Sequence, residues 1–336
     1  MSKPVPSGQL EAGAAPRPLP AWRVALDAVI AFRELALIGI IAVTALVMWQ
    51  LSPYFLTTGN LRSVLVGLVP GAIMAVGMAV LLASGGFDLS VAAVMALCGT
   101  IAAWLTIHGF SVPIAILLTL VLGGLIGTGN GVLVTFLGIN PLIATLGTMS
   151  IGRGLALVIT EGYNISGLPE SFTQLGQQGP LKLPWMVWIM AVLVIVGDLA
   201  LRRTRFLRQV YYIGGNERAA RLSGIPVNGL RVFTYVLSGT LAALAGVLLA
   251  ARLSTAVPTA GEGLELTVIA AAVIGGASLS GGEGSVLGAV LGIVFLFIIS
   301  NALTLLSVSI FWQIVITGVV LIAAVSIDVL LRRRQP

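Results

Sequence analysis

Three polar side chains interrupt long apolar stretches of the sequence: Asp88 in GGFDLS, Asn130 in GTGNG and Arg153 in GRG. A charge inside a bilayer costs about 2.5–3.5 kcal/mol on insertion scales, so each charged residue there needs a partner or a function. Asp88 is expected to cap the helix that follows it, beside Ser90, and a cap does not exclude a place on a solute pathway. Arg153 is expected to contact protein or water, with a carbonyl, Glu161 or a polar solute as its partner. Asp88, Ser90, Asn130 and Arg153 are therefore the candidate residues of a translocation pathway.

The sequence contains none of the residue patterns that are typical of hydrolytic, redox or ATP-splitting enzymes. Lys3 and Lys182 are the only lysines, and neither follows a glycine-rich loop, so a P-loop for ATP is missing. His108 and Cys98 are the only residues of their types, which excludes a metal cluster or an internal disulfide built from them. We therefore expect no catalytic residues, no metal and no cofactor on this chain.

The composition places the polar residues in a lipid bilayer. Of the 336 residues, 58% are hydrophobic and 9% are charged, whereas a soluble domain carries roughly 25% charged residues. This excludes a soluble globular protein, a disordered chain and a nucleic-acid binder. A spanning helix needs about 20 mostly apolar residues. The ten candidate spans are Leu35–Leu51, Val64–Ser84, Ser90–Ile107, Val112–Phe136, Pro141–Thr160, Met186–Leu201, Arg231–Ala251, Leu264–Leu279, Ser285–Leu305 and Ser309–Leu330.

The predicted fold is an all-α integral membrane protein, a polytopic bundle of about ten transmembrane helices. Residues 1–34 are expected to form a flexible tail without a signal peptide, residues 35–330 the membrane domain, and residues 331–336 a basic end. The eighth span is the weakest. Its apolar core is short and ends in Gly275-Gly276, which favours a broken or re-entrant helix.

Basic residues predict the orientation of the bundle. Most of the 18 Lys and Arg residues lie in the N-terminal tail, in segment 202–231 and at 332–334, which share one side of ten spans. Such residues resist translocation, so both termini and the 202–230 loop are expected to be cytoplasmic, and the 161–185 loop external. The inner loop contains NERAARL, in which Asn216 starts a short helix and Gly224 stops it.

A short internal repeat marks two of the predicted inner turns. The second GGxxLS, at positions 275–280, echoes the GGFDLS of positions 85–90. Two glycine-broken apolar segments in corresponding places are typical of a central pathway. The residues of this second motif that we single out are Gly275, Gly276, Ser278 and Ser280. Three glycines of the fourth span, Gly123, Gly127 and Gly131, recur every four positions, which favours close helix packing.

Four segments of the chain, taken in order, resemble the permease subunits of ribose-type ABC importers, over about residues 35–330. They are GGFDLSVAAVMAL, GTGNGVLVTFLGINPLIATLGTMSIGRG, GGNERAARLSGIPV and GEGLELTVIAAAVIGGASLSGGEGS. The sequence departs from the family's motifs at Phe87, Ala92, Asn140 and Leu142, so the resemblance names no particular sugar.

The resemblance implies a type II ABC importer permease that assembles with other proteins. The implied partners are a second permease copy (homodimer or heterodimer), an ATP-binding cassette subunit that carries ATP and Mg, and a periplasmic sugar-binding protein. The implied location is the bacterial inner membrane.

In that family the segment matching 214–225 contacts the ATPase. The implied docking residues are Gly215, Asn216, Glu217, Arg218, Ala219, Ala220, Arg221, Ser223 and Gly224. We expect Ala219 and Ala220 at the centre of the contact, and the charges of Glu217, Arg218 and Arg221 at its rim. Movement of this loop would then rock the bundle between two access states.

Three alternatives remain open from the sequence. A gradient-driven secondary transporter would use Asp88 and Arg153 as its coupling site. An intramembrane enzyme lacks a nucleophile–base pair. The basic inner loop, finally, could serve only as a topology anchor.

Overall fold

The computed structural model describes residues 33–332, in which the chain forms thirteen α-helices and one 3-10 turn, Pro180–Lys182. The helices are α1 Arg33–Leu51, α2 Thr58–Ala83, α3 Val91–Ile107, α4 Val112–Thr135, α5 Pro141–Thr160, α6 Glu170–Gln177, α7 Trp185–Arg203, α8 Arg205–Gly215, α9 Glu217–Leu222, α10 Val227–Leu253, α11 Leu264–Ile274, α12 Val286–Leu305 and α13 Ile310–Arg332. The predicted tail and basic end lie outside the described residues, apart from the first residues of α1 and the last of α13.

Ten apolar helices occupy the ten places where the sequence predicts spans. Seven of them, α1, α2, α4, α5, α7, α10 and α12, are long and apolar enough to cross a membrane. The three shorter apolar stretches are Val91–Ile107, Leu264–Ile274 and Ile310–Val320. The predicted all-α membrane fold is confirmed.

The eighth predicted span is a half-helix. Helix α11 has 11 residues, which at 1.5 Å per residue makes it about 16 Å long, against a hydrocarbon core of about 30 Å. Residues 254–263 before it are irregular, and Ala256 pairs with Ile165 through two backbone hydrogen bonds of 2.9 and 3.0 Å. The expectation of a broken eighth span is therefore confirmed.

Helices α2 and α10 form the centre of the bundle. The second half of α2 is continuously buried from Val66 to Ala83, apart from Gly67, and α10 packs against α2, α3 and α4. The α4–α10 contact depends on glycine. A Cβ added at Gly127 would lie 2.8 Å from the carbonyl carbon of Tyr235 and 3.0 Å from the Cα of Val236. Gly123 and Gly131 meet α10 in the same way, so the predicted glycine packing is confirmed.

Candidate functional site: a buried polar cluster, two turns and a docking loop

Three of the four predicted pathway residues belong to one buried polar cluster. Asp88 Oδ1 accepts hydrogen bonds from the Ser90 amide, at 2.8 Å, and from Ser90 Oγ, at 2.6 Å. Asn130 Nδ2 of α4 donates to Ser90 Oγ at 3.0 Å, and Thr148 Oγ1 of α5 donates to Asn130 Oδ1 at 2.5 Å. Asp88, Ser90 and Asn130 are at most 1% exposed. The cluster joins the turn before α3 to α4 and α5, and its members Asp88, Ser90 and Asn130 are closed to solvent in this conformation.

Asp88 does not cap α3 as the sequence predicts. The capping position is Ser90, whose side chain makes no cap bond, and α3 begins at Val91. An N-cap side chain must reach an amide two or three residues into the helix, whereas Asp88 lies two residues too early and accepts the amide of Ser90 itself. Asp88 therefore fixes the turn that leads into the helix.

The first turn, residues 84–90, is held by side chains from two other helices. Thr145 Oγ1 of α5 accepts the Leu89 amide at 3.1 Å. Tyr235 Oη of α10 donates to the Phe87 carbonyl at 3.1 Å and lies 3.3 Å from the Phe87 amide nitrogen. The turn thus has a fixed place between α5 and α10, and the sequence motif alone did not reveal Thr145, Thr148 or Tyr235.

Arg153, the fourth predicted pathway residue, lies outside the cluster. Its Nη1 donates to the carbonyl oxygen of Ala260 at 2.8 Å. The sequence left a carbonyl, Glu161 or a solute open as its partner, and the structure selects the carbonyl. Because Ala260 belongs to the irregular segment before α11, Arg153 ties α5 to the entry of the half-helix.

The second turn, residues 275–285, repeats the local geometry of the first. Ser278 Oγ accepts the Ser280 amide at 3.1 Å, as the carboxylate of Asp88 accepts the amide of Ser90. The helix before each turn is followed by a glycine in the left-handed region: Gly85, at φ 77°, follows α2, and Gly276, at φ 101°, follows α11. The sequence repeat is therefore a structural one in part. The left-handed glycine is the first of the pair in the first turn and the second in the second turn, where Gly275 caps α11 and packs against Gly288 of α12.

The predicted docking helix is present and has the predicted ends. Asn216 Oδ1 accepts the amide of Ala219 at 3.0 Å, which caps α9, and Gly224 follows the helix at φ 79°. The sequence did not predict the preceding helix, α8. Thr204 Oγ1 caps it by accepting the Leu207 amide at 3.3 Å, and its buried residues are Val210 and Ile213. Apolar residues at 207, 210 and 211 give the i, i+3, i+4 spacing that could have identified it.

The acidic residue of the docking helix binds its own chain. Glu217 Oε1 lies 2.7 Å from Arg221 Nη2, and Oε2 lies 2.7 Å from Arg231 Nη2. The Arg231 and Arg221 hydrogen bonds lower the pKa of Glu217. In this conformation the two residues brace α9 against α10, and their expected place at a partner's rim stays a prediction. Within residues 33–332, Arg218 forms neither a hydrogen bond nor an ion pair, and it is exposed.

Ala220 does not lie at the surface of the docking helix. Its side chain is 3% exposed and packs into the core of the bundle, because α9 rests on α8 and α10 along that face. Ala219 and Leu222 face outward instead, and Leu222 is 85% exposed. Ala220 is thus too buried to form the centre of an exposed contact in this conformation, although it lines a groove between α8 and α9.

A groove of about 580 Å³ separates α8 from α9. Arg205 and Arg208 line it together with Tyr211 and Tyr212, and no carboxylate is among its lining residues. The two guanidinium groups form no hydrogen bond or ion pair within the described part of the chain. The groove therefore presents unpaired positive charge beside the exposed residues of α9.

The family follows from comparison with known proteins. The profile of a family described as "Branched-chain amino acid transport system / permease component" matches residues 60–325. The chain belongs to this permease family. It is a multi-pass membrane permease, and its half-helix, its two repeated turns and the predicted docking loop all lie within the matched residues.

Alignments with three named relatives cover most of the chain. The ribose import permease protein RbsC of Escherichia coli (strain K12) is 41% identical over 297 residues, which is 87% of this chain and 92% of that protein. RbsC of Bacillus subtilis (strain 168) is 40% identical over 280 residues, or 83% of this chain and 87% of its own. The L-arabinose transport system permease protein AraH of Escherichia coli (strain K12) is 40% identical over 276 residues, or 82% and 84%. No solved structure matches the chain.

Proposed function

We propose that this permease forms the membrane pathway of an ATP-binding cassette importer for a monosaccharide or a related small polar solute. The observation that carries the proposal is the 41% identity with a ribose import permease across 92% of that protein's length. The arabinose permease is similar to nearly the same degree, so the solute class is better supported than any single sugar.

The proposal includes three partners that supply what this chain lacks. An ATP-binding subunit carries ATP and Mg, a periplasmic binding protein delivers the sugar, and a second permease copy, identical or related, completes the pathway. The assembly lies in the bacterial inner membrane with both termini and α8–α9 on the cytoplasmic side. This sidedness follows from the basic residues of segment 202–231.

The ATP-binding subunit docks on α9 and on the groove between α8 and α9. Leu222 offers an apolar contact, and Arg208 and Arg218 offer unpaired charges that would steer an acidic partner surface into register. The loop would not need a groove, an outward leucine or a capped helix if it only anchored topology.

Exchanging an exposed leucine for aspartate on each side of the bundle tests the docking. Leu222→Asp should lose the ATP-binding subunit during co-purification, because it places a carboxylate at the centre of the contact. Leu181→Asp is the matched control, since Leu181 is 81% exposed and lies in the predicted external loop. Equal recovery of the complex from both variants would contradict docking at α9.

The sugar class is tested by ATP hydrolysis of the purified complex. The rate should rise when binding protein loaded with ribose or arabinose is added, and it should not rise with the empty binding protein. No response to either sugar-loaded protein would refute ribose and arabinose as the solutes while leaving the permease family unchanged.

A further inference from the structure

Three backbone segments meet at Gly214, the penultimate residue of α8. A Cβ added at Gly214 would overlap the carbonyl oxygen of Ala83, at the end of α2, and the amide nitrogen of Gly282 in the second turn. A Cβ added at Gly281 would lie 2.8 Å from the Cα of Gly214 and 2.9 Å from the Cα of Gly85. Only glycine permits such an approach. The two repeated turns and α8 therefore share one end of the bundle and are in direct backbone contact.

Hydrogen bonds fasten the same three segments to one another. The Gly282 amide donates to the Ala83 carbonyl at 3.0 Å, which joins the second turn to the end of α2, directly before the first turn. Tyr211 Oη of α8 donates to the Gly284 carbonyl at 2.7 Å, which joins α8 to the second turn. Displacing the end of α8 therefore strains its bond to the second turn and the close contact of Gly214 with the two residues of the other bond.

We propose that Gly214 is the positioning residue through which movement of the docking loop reaches both turns at once. Gly214 is only two residues from Asn216, the cap of α9, so it lies directly beside the proposed partner surface. A contact between backbones contains no flexible side chain that could absorb a displacement, and close-packed contacts of this kind transmit strain. This inference rests on the proposed docking of an ATP-binding subunit at α9.

Movement of the two turns would reach two parts of the bundle, the buried polar cluster and the half-helix α11. The first turn contains Asp88 and continues into the cluster of Ser90 and Asn130. The second turn ends the half-helix α11, whose entry Arg153 holds through Ala260. One displacement at Gly214 thus acts on the buried polar cluster and on the half-helix together.

Two helical glycines provide a matched pair for the test. At Gly229, in the first turn of α10, an added Cβ would meet nothing within 4 Å. Gly229→Ala should therefore be neutral, whereas Gly214→Ala must push α8 away from both turns. Both residues are helical and neither has a positive φ, so backbone strain does not distinguish the two substitutions.

The experiment follows a label in the second turn while nucleotide binds to the partner. A nitroxide or fluorophore is attached at Leu279→Cys, because Leu279 is 38% exposed, in a chain carrying Cys98→Ala and purified with its ATP-binding subunit. Adding ATP with Mg, compared with ADP, should change the label signal in the parent and in Gly229→Ala. Gly214→Ala should still co-purify with the subunit but lose at least three quarters of that change.

Several outcomes would overturn the inference. Equal responses from Gly214→Ala and Gly229→Ala would do so, as would an assembled parent complex whose label does not respond to ATP. If Gly214→Ala does not assemble, Tyr211→Phe decides: the lost hydrogen bond to Gly284 should reduce the response by at least half, and an unchanged response rejects the proposal. Failure of the parent itself to bind the subunit would instead refute the proposed docking.

Discussion

Replacing Asn130 by leucine separates the function of the buried polar cluster from its contribution to stability. Asn130 is the only link in the cluster between Ser90 of the first turn and Thr148 of α5. Leucine removes both hydrogen bonds and leaves two hydroxyl groups without this partner. The substitution therefore removes the link between the first turn and α5 that runs through Asn130, leaves the Leu89–Thr145 hydrogen bond in place and adds no charge.

The expected loss is that of two hydrogen bonds within a membrane protein. Such bonds contribute about 0.6 kcal/mol on average and up to about 1.7 kcal/mol, so the pair contributes about 1–3 kcal/mol. If the link is made in one conformation of the transport cycle and broken in another, a loss of that size changes a rate by about 5- to 150-fold.

Asn60 provides the matched control. Its Nδ2 donates to Phe55 O at 2.8 Å and to Asn301 Oδ1 at 3.0 Å, and its Oδ1 accepts from Asn301 Nδ2 at 2.8 Å. Asn60→Leu should thus destabilise the permease at least as much as Asn130→Leu, but far from the cluster. Thermal unfolding measures the stability of both variants, and initial sugar uptake per folded complex in liposomes measures transport.

Only Asn130→Leu should lower uptake per folded complex, by at least fivefold. The cluster would be merely structural if both variants lost the same fraction of uptake. It would be irrelevant if Asn130→Leu transported at the parent rate.

Three further predictions concern packing, pH and topology. Gly127→Ala should destabilise the bundle by about 1–3 kcal/mol, the cost of overpacking. Gly129→Ala should not, because the space around its added Cβ is open. Equal thermal unfolding midpoints for the two variants would exclude the tight α4–α10 contact. The pKa of Glu217 is lowered by its arginine partners, so its contribution to the stability of α9 is present above its unfolded pKa and is lost as pH falls through the folded pKa. Glu217→Gln should therefore increase limited proteolysis of α9 at pH 7, and it should add little once acid has protonated the parent; an equal effect at both pH values would contradict this. Cysteines at Leu222 and Leu181 should label from the cytoplasmic and external sides respectively, and labelling of both from one side would refute the topology.

The sequence predicted those parts of the fold that depend on local signals. Long apolar stretches located the ten membrane helices because each helix satisfies its own backbone in lipid. The short apolar core before Gly275 predicted the half-helix, and Asn216 and Gly224 predicted the ends of α9. These features are encoded within a few neighbouring residues.

The parts that could not be predicted depend on contacts between distant segments. Nothing beside Ala220 in the sequence indicates that α8 and α10 cover it, and nothing beside Glu217 indicates that Arg231 lies within reach. Thr145, Thr148 and Tyr235 reach the first turn and its cluster only through the packing of α5 and α10. The resemblance placed Gly214 only at the start of segment 214–225, and nothing in the sequence predicts its packing, because its close neighbours Ala83 and Gly282 are 131 and 68 positions away.

The central claim is that this permease imports a sugar with energy from an ATP-binding partner. Uptake of radiolabelled ribose and arabinose into liposomes tests it most directly, with the permease alone, with the ATP-binding subunit, and with the subunit plus binding protein. We predict uptake of at least one sugar only when the permease, the ATP-binding subunit, the binding protein and ATP are all present. Uptake by the permease alone, driven by a proton or sodium gradient, would contradict it.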